Sequence, residues 1–131
     1  RRPPRSTLSS SSAASDVYKR QAIHICGKVG HLLGVLQAEL NMQDFELGFP
    51  VDLGEAREIV GEKALLKGNL HPQILHDGPV SLIESETARI MKSGAKAGGR
   101  FIFCDGNNVA PGTPVEHLAA AYEAAKRWGE Y

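Results

Sequence analysis

The sequence predicts an α/β fold of about four βα units with parallel strands. After residue 21, short apolar runs alternate with longer amphipathic stretches, a pattern typical of parallel strands joined by helices. The strand candidates are Ala22 to Cys26, Asp44 to Leu47, Ala64 to Lys67 and Phe101 to Cys104. Four units fill about half of the roughly 250 residues of a (β/α)8 barrel. Half of such a barrel is the economical interpretation, although a small doubly wound domain predicts the same alternation.

The helices are predicted from apolar spacing together with start and stop signals. The second helix opens at Asp52 with Glu55 three residues later, a variant capping box, and ends at Gly61. The fourth begins at Thr113-Pro114, with an acid at its third position. The apolar stripes of the first, third and fourth helices are Leu32, Leu33, Leu36 and Leu40; Val80, Ile83, Thr87, Ile90 and Met91; and Leu118, Ala121, Tyr122, Ala125 and Trp128.

The first 21 residues form a segment of different composition. They are Ser-rich, contain prolines and have almost no apolar periodicity, so we expect disorder there. The string SDVYKRQ within them resembles translated sequencing-adapter debris, and such a non-native tail is excluded from fold reasoning. The folded domain is therefore expected over residues 22–131.

Composition narrows the possible classes of function. The chain has 131 residues, of which 42% are hydrophobic and 23% charged, as in a small globular domain. It has no apolar run of the length that crosses a bilayer and no apolar segment typical of a signal peptide, so we expect a cytoplasmic protein. Its basic excess lies in residues 1–21 and the remainder is acidic, which does not suit nucleic-acid binding.

The triplet His24-Ile25-Cys26 is the most informative motif. Side chains alternate along a strand, so His24 and Cys26 project from the same face, one pleat apart. They lie at the carboxyl end of a predicted strand, which is the catalytic rim of α/β barrels. Imidazole and thiolate are ligands that zinc prefers. The plainer interpretation is a buried thiol and a core histidine with its hydrogen bonds satisfied.

Three further residues lie at predicted strand ends. Cys104 is a candidate third zinc ligand, or a buried thiol. Glu46 is placed to ligate a metal, to orient His24 or to move a proton, or is an exposed strand-end carboxylate. Asn69 either bonds a substrate or shapes the turn. The remaining candidates His31, His76 and His117 have no partner pattern and receive no functional role.

Three segments resemble the uroporphyrinogen decarboxylase superfamily: HICG, VDLGEAREIVGEKALLKGNLHP and APGTPVEHLAAAYEAA. In combination they give a helix ending in Val-Gly, a strand closing in Gly-Asn-x-x-Pro and a Pro-x-x-Pro-x-Glu lead into the last helix. The resemblance covers nearly all of residues 22–131. It implies the C-terminal half of a (β/α)8 TIM barrel with the site at the carboxyl ends of the strands.

Within that superfamily, His-x-Cys resembles the start of the zinc motif of methylcobalamin:coenzyme M methyltransferases, which decarboxylases lack. The third ligand of those enzymes falls, by spacing, at Asn107, where decarboxylases have a histidine. Either Cys104 replaces this ligand or the metal site is altered. We therefore predict zinc ligands His24, Cys26 and Cys104, and substrate binding by Asn107. From their positions at strand ends, we predict a catalytic role for Glu46 and substrate binding by Asn69.

The resemblance also implies cofactors and partners. We expect zinc, a methylated corrinoid supplied free or by a corrinoid protein, and a small thiol as methyl acceptor or donor. The missing N-terminal half of the barrel is a further expected partner, and open sheet edges favour self-association. Alone, the chain is not expected to turn over. The alternatives are a tetrapyrrole decarboxylase and a truncated, non-catalytic fragment.

Overall fold

The sheet has four strands, all parallel and in sequential order. The computed structural model describes residues 21–130. Its strands are β1 (Ala22–Ile25), β2 (Asp44–Leu47), β3 (Leu65–Leu70) and β4 (Phe101–Asp105), and each pairs with the next along the chain. A doubly wound sheet reverses its strand order at a switch point, and this sheet does not. The half-barrel interpretation is therefore the correct one.

Five α-helices connect or follow the strands. They are α1 (Gly30–Leu40), α2 (Leu53–Val60), α3 (Pro72–Asp77), α4 (Val80–Lys92) and α5 (Val115–Trp128), with a 3₁₀ turn at Ala97–Gly99. The predicted start of α2 is confirmed, because the Asp52 carboxylate accepts the backbone N–H groups of Gly54 and Glu55 at 2.8 and 3.0 Å. No helix within residues 21–130 is long and apolar enough to span a bilayer.

The two faces of the sheet differ in their side chains. The face beneath the helices holds the core, where Phe45, Leu47 and Leu66 are completely buried. The opposite face carries the row His24, Glu46, Lys67 and Ile102, which are register partners on neighbouring strands; Ile102 is 48% exposed. In a closed barrel this second face is the interior.

Several predicted boundaries differ from the structure. β1 ends at Ile25, so Cys26 lies just beyond the strand, and β4 runs one residue further than predicted. β3 continues three residues past Lys67, because Gly68, Asn69 and Leu70 pair with β4. The helix α3 was not predicted. It begins at Pro72 and is capped by His71, whose Nδ1 accepts the Gln73 backbone N–H.

The outer helices bury less of their apolar stripes than predicted. On α1 only Leu33 is fully buried, and Leu40 is 53% exposed; on α5 Tyr122 is 62% exposed. Thr113 does not cap α5, because its hydroxyl donates to the Ala110 carbonyl oxygen. α1 packs against α2, and α5 packs against α4 and α3. The predicted tail lies outside the described residues except for Gln21, which precedes β1.

A buried arginine fixes the end of the sheet opposite the rim. Arg57 is 4% exposed, and its guanidinium donates to four backbone carbonyl oxygens, those of Ala95, Gly61, Ala64 and Arg100, at 2.7–3.0 Å. These carbonyls belong to the segments that lead into β3 and β4. Hydrogen bonds from a charged donor are among the stronger ones in proteins, so Arg57 sets where these two strands begin.

Candidate active site at the strand ends

The site centres on a chain of three side chains on β1 and β2. His24 and Glu46 are register partners on the uncovered face, and His24 Nδ1 lies 2.8 Å from Glu46 Oε1. On the other side of the ring, His24 Nε2 lies 3.4 Å from Cys26 Sγ. Glu46 therefore makes the contact needed to orient His24, the second of the three roles considered for it. Its position leaves His24 Nε2 directed at the thiol.

The Cys26 thiol reaches across to the loop after β4. Its Sγ lies 3.6 Å from the carbonyl oxygen of Gly106, although β1 and β4 are the two edges of the sheet. Gly48 makes this approach possible, since a Cβ there would lie 2.4 Å from Cys26 Sγ and 2.5 Å from the Gly106 oxygen. Gly48 was not among the predicted site residues. Its position directly after the Asp44–Leu47 strand was the available signal.

The predicted residue Asn107 lies close to Cys26. Both line a pocket of about 330 Å³ with Phe49, His71, Pro72, Gln73 and Gly106. Asn107 is the position that matches the family's third ligand by spacing, and it lies at the pocket that Cys26 also lines. His71 and Phe49, whose ring centroids are 4.3 Å apart, were not predicted as part of the site.

Cys104 does not join the other two predicted ligands. Within residues 21–130 no three His, Cys, Asp or Glu side chains are grouped so that they would hold a metal. Cys104 lies on β4, which β2 and β3 separate from the strand β1 that carries His24. Burial, followed by the nearby charges of Asp105 and Glu46, raises the pKa of the Cys104 thiol to about 11.

Asn69 faces the loop after β2. It is 3% exposed, and its amide nitrogen donates to the carbonyl oxygen of Val51 at 2.6 Å and approaches that of Gly48 at 3.5 Å. These hydrogen bonds give Asn69 a turn-shaping role, one of the two alternatives considered for it, and substrate binding by Asn69 stays a prediction. Through these hydrogen bonds Asn69 fixes the backbone of residues 48–51, which includes Gly48, the residue that Cys26 packs against.

The three histidines given no role lie away from this centre. His117 Nδ1 is 2.9 Å from the Leu75 carbonyl oxygen, an ordinary structural contact between α5 and α3. His76 bonds directly to its neighbour Asp77. His31 is exposed near the start of α1.

Comparison with known proteins identifies the family. Residues 9–128 match the family model described as uroporphyrinogen decarboxylase (URO-D). The chain belongs to the uroporphyrinogen decarboxylase family. Its fold is similar to that of a methyltransferase from Methanosarcina mazei, with a TM-score of 0.72 and 25% identity, covering 91% of this chain and 34% of that one.

Curated relatives of the family are similar at the sequence level. A uroporphyrinogen decarboxylase from Hamiltonella defensa is 38% identical over 90 residues, which are 69% of this chain and 25% of that protein. One from Pseudomonas paraeruginosa is 32% identical over 106 residues, or 81% of this chain and 29% of that protein. The chain thus spans between a quarter and a third of the length of these relatives.

The geometry of His24 and Cys26 fits two ligands of one zinc ion. Zinc bonds of about 2.0–2.1 Å to nitrogen and about 2.3 Å to sulfur, at a tetrahedral angle, place the donor atoms about 3.5 Å apart, and the two atoms lie 3.4 Å apart. Histidines that ligate zinc usually bond a carboxylate through the other ring nitrogen, as His24 bonds Glu46. The donor set of His24 and Cys26 fits zinc as two of its ligands.

Proposed function

We propose that the chain is a fragment of a zinc-dependent methyltransferase that moves a methyl group between a corrinoid and a thiol. The observation that carries the proposal is the array of Glu46, His24 and Cys26, with His24 Nε2 and Cys26 Sγ at 3.4 Å. In a decarboxylase of tetrapyrrole side chains, His24 and Cys26 would have no evident catalytic role. The similarity in fold to a methyltransferase supports the same choice.

Each residue of the array has a distinct task in this proposal. Glu46 accepts a hydrogen bond from His24 Nδ1–H. This bond fixes the tautomer and leaves the lone pair of Nε2 available to bind zinc. Cys26 supplies a thiolate ligand. When bound, zinc lowers the pKa of a substrate thiol and holds the resulting thiolate, the nucleophilic form. Gly48 and Asn69 keep Cys26 and the Gly106 loop in contact.

The complete reaction requires more than this chain. We propose that the corrinoid, free or carried by a corrinoid protein, lies against the uncovered face of the sheet. In the family barrel, the other half of the barrel encloses this face. Residues 21–130 include the proposed metal ligands His24 and Cys26 and part of the proposed binding site for the thiol. We therefore propose that the isolated chain binds metal without turning over.

A second candidate is a uroporphyrinogen decarboxylase that needs no metal. The observation in its favour is the 38% identity to curated decarboxylases. In that case His24 and Cys26 would have no catalytic role, and a chain without the remainder of the barrel would be a non-catalytic fragment. Zinc content distinguishes these possibilities.

The test is zinc per chain, measured by elemental analysis on purified, size-checked protein. We expect zinc to be lost in Cys26→Ser and retained in Cys104→Ser, because only Cys26 lies beside His24. Asn107→Cys should tighten zinc binding at least about tenfold by supplying a thiolate as the third ligand. Glu46→Gln should weaken it by about 10–100-fold through loss of the carboxylate behind His24.

Two results would contradict the proposal in different ways. Absence of zinc from well-folded wild-type protein and from Asn107→Cys would exclude the metal mechanism and favour the decarboxylase. Loss of zinc in Cys104→Ser, with folding intact, would identify Cys104 as a ligand and show that the proposed ligand set is wrong.

A further inference from the structure

The position of the Cys26 sulfur depends on the loop that follows β2. Two backbone hydrogen bonds join this loop to the residues on either side of Cys26. Gly48 N–H donates to the Ile25 carbonyl oxygen at 2.9 Å, and Gly27 N–H donates to the Phe49 carbonyl oxygen at 3.1 Å. Cys26 also packs against Gly48, where a Cβ would lie 2.4 Å from Sγ. A shift of this loop would therefore move the sulfur.

A buried side chain of β3 holds the same loop in place. Asn69 is 3% exposed. Its amide nitrogen donates to the Val51 carbonyl oxygen at 2.6 Å and lies 3.5 Å from that of Gly48. Breaking a buried hydrogen bond is unfavourable, because the polar groups that it joined lose a partner away from water. Asn69 therefore restricts movement of residues 48–51 and, through them, of Cys26.

The carboxyl end of β3 also holds the loop after β4. Gly106 N–H donates at 2.7 Å to the carbonyl oxygen of Leu70, the residue that follows Asn69. The carbonyl oxygen of Gly106 in turn lies 3.6 Å from Cys26 Sγ. The sulfur is thus flanked by two loops, each of which is bonded to the end of β3. Because β3 is paired on both sides, this end is a firm support for both loops.

We propose that Asn69 is a positioning residue that fixes the Cys26 sulfur and thereby sets the size of the metal ion accepted between His24 and Cys26. The inference rests on the proposed function in taking these two residues as metal ligands. Their donor atoms lie 3.4 Å apart, close to the separation of about 3.5 Å that zinc bonds require. Thiolates also bind larger soft ions such as Cd²⁺, whose longer bonds need a wider separation. Widening requires residues 48–51 to move, and Asn69 resists that movement.

The test compares the affinities of Zn²⁺ and Cd²⁺ for the 131-residue chain and its variants, by competition with a chelating indicator. In Asn69→Ala the loop is released, so the ratio of Zn²⁺ to Cd²⁺ affinity should fall about three- to tenfold, the effect of one hydrogen bond. Gln37→Ala is the matched control, because the Gln37 amide also donates to a backbone carbonyl oxygen, that of Val60 at 2.7 Å. It should leave the ratio unchanged. A general loss of stability affects both ions alike.

A second measurement uses the wild-type chain, so that it does not depend on the folding of a variant. In NMR spectra of the ¹⁵N-labelled chain, we expect Cd²⁺ to shift the signals of the Asn69 side-chain amide and the Gly48 backbone amide more than Zn²⁺ does. The reason is that the larger ion displaces the loop to which both groups are bonded. The side-chain amide of Gln37 is the reference and should respond equally to the two ions.

A third measurement needs no metal. We would label Cys26 with a disulfide reagent in the Cys104→Ser background, with a chelator present. Labelling should be faster when Asn69→Ala is added than when Gln37→Ala is added, because release of the loop uncovers the sulfur. This measurement reports the position of Cys26 whether or not the chain binds zinc.

The outcomes separate the inference from the proposed function. Zinc binding with the same ion ratio and the same labelling rate in Asn69→Ala and Gln37→Ala would overturn the inference alone. Equal shifts of the Asn69 signals with both ions would also overturn it. Absence of zinc from the well-folded wild-type chain would contradict the proposed function and the role in metal selection. Faster labelling in Asn69→Ala would then still support the positioning of Cys26 by Asn69.

Discussion

At the scale of single residues, close packing at the strand ends decides which predicted side chains meet. His-x-Cys spacing was sufficient to predict that His24 and Cys26 share a face, because alternation along an extended chain is a local property. The place of Cys104 was not predictable in this way. It depends on the order of strands in the sheet, a long-range property, and the sheet puts β1 and β4 at opposite edges.

Gly48 provides a direct test of this packing. In Gly48→Ala the new methyl group would lie within 2.5 Å of Cys26 Sγ and of the Gly106 oxygen, and forced repacking of this kind typically costs about 1–3 kcal/mol of stability. Gly30→Ala is the control, since a Cβ there meets nothing within 4 Å. Urea unfolding measures both. Equal midpoints for the two variants would show that the Cys26–Gly106 contact is not formed.

The two thiols should differ in reactivity toward a disulfide reagent. Burial and the charges of Asp105 and Glu46 raise the pKa of Cys104 from 9.0 to about 11, which leaves about a hundredfold less thiolate at pH 8. We expect the labelling rate of Cys104, measured in Cys26→Ser, to keep rising up to about pH 11. Cys26, exposed and measured in Cys104→Ser, should react faster at pH 8. A plateau for Cys104 near pH 9 would contradict this.

At the scale of elements, the strands and long helices were predicted well, but the segment at the carboxyl end of β3 was not. β2 was predicted with its correct bounds, and both ends of α2 were evident from Asp52 and Gly61, because these signals lie next to the helix that they delimit. Gly68 and Asn69 suggested a turn, yet pairing with β4 keeps them in β3. The short helix α3 has too few residues to show an apolar period.

The helix α3 is joined to the loop after β4 by His76, which gives a pH-dependent contribution. The hydrogen bond to Asp77 is the largest cause that raises the His76 pKa above 6.5, and a contact with the Pro111 backbone raises it further. The same hydrogen bond lowers the Asp77 pKa below 3.8. The His76 contribution is complete below pH 6.5 and is lost as the pH rises through its folded pKa. The Asp77 contribution is present above pH 3.8.

Stability from this pair is therefore greatest between about pH 4 and 6. Urea unfolding of His76→Gln should show a larger loss relative to wild type at pH 5 than at pH 8.5. Asp77→Asn should show the same trend, and Arg89→Gln, which removes an exposed ion pair with Glu86, serves as a control without it. A loss independent of pH would mean that the His76–Asp77 bond is not formed in solution.

At the scale of the whole molecule, three surfaces lack a neighbour among residues 21–130. They are the outer edges of β1 and β4, the sheet face that carries His24 and Ile102, and the exposed apolar residues of α1 and α5, among them Val35 and Tyr122. A closed barrel covers all three at once. The chain spans 34% of the Methanosarcina mazei methyltransferase that it resembles in fold, in keeping with this arrangement.

Amide hydrogen exchange should reveal the open edges in the isolated chain. β2 and β3 are paired on both sides, whereas β1 and β4 are each paired on one, so we expect faster exchange in β1 and β4 than in β3. Measurement at several protein concentrations controls for association. Protection of β1 equal to that of β3 at the lowest concentration would show that another part of the chain covers this edge.

The Arg57 clamp has a consequence for how such a protein diversifies. It donates to carbonyl oxygens at the beginnings of β3 and β4, and these hydrogen bonds do not depend on which side chains those segments carry. The reactive groups are at the other end of the strands, where Asn107 occupies a loop after β4. Replacement of that loop leaves the clamp untouched. New substrates can thus be acquired at one pole of the sheet while the other preserves the fold.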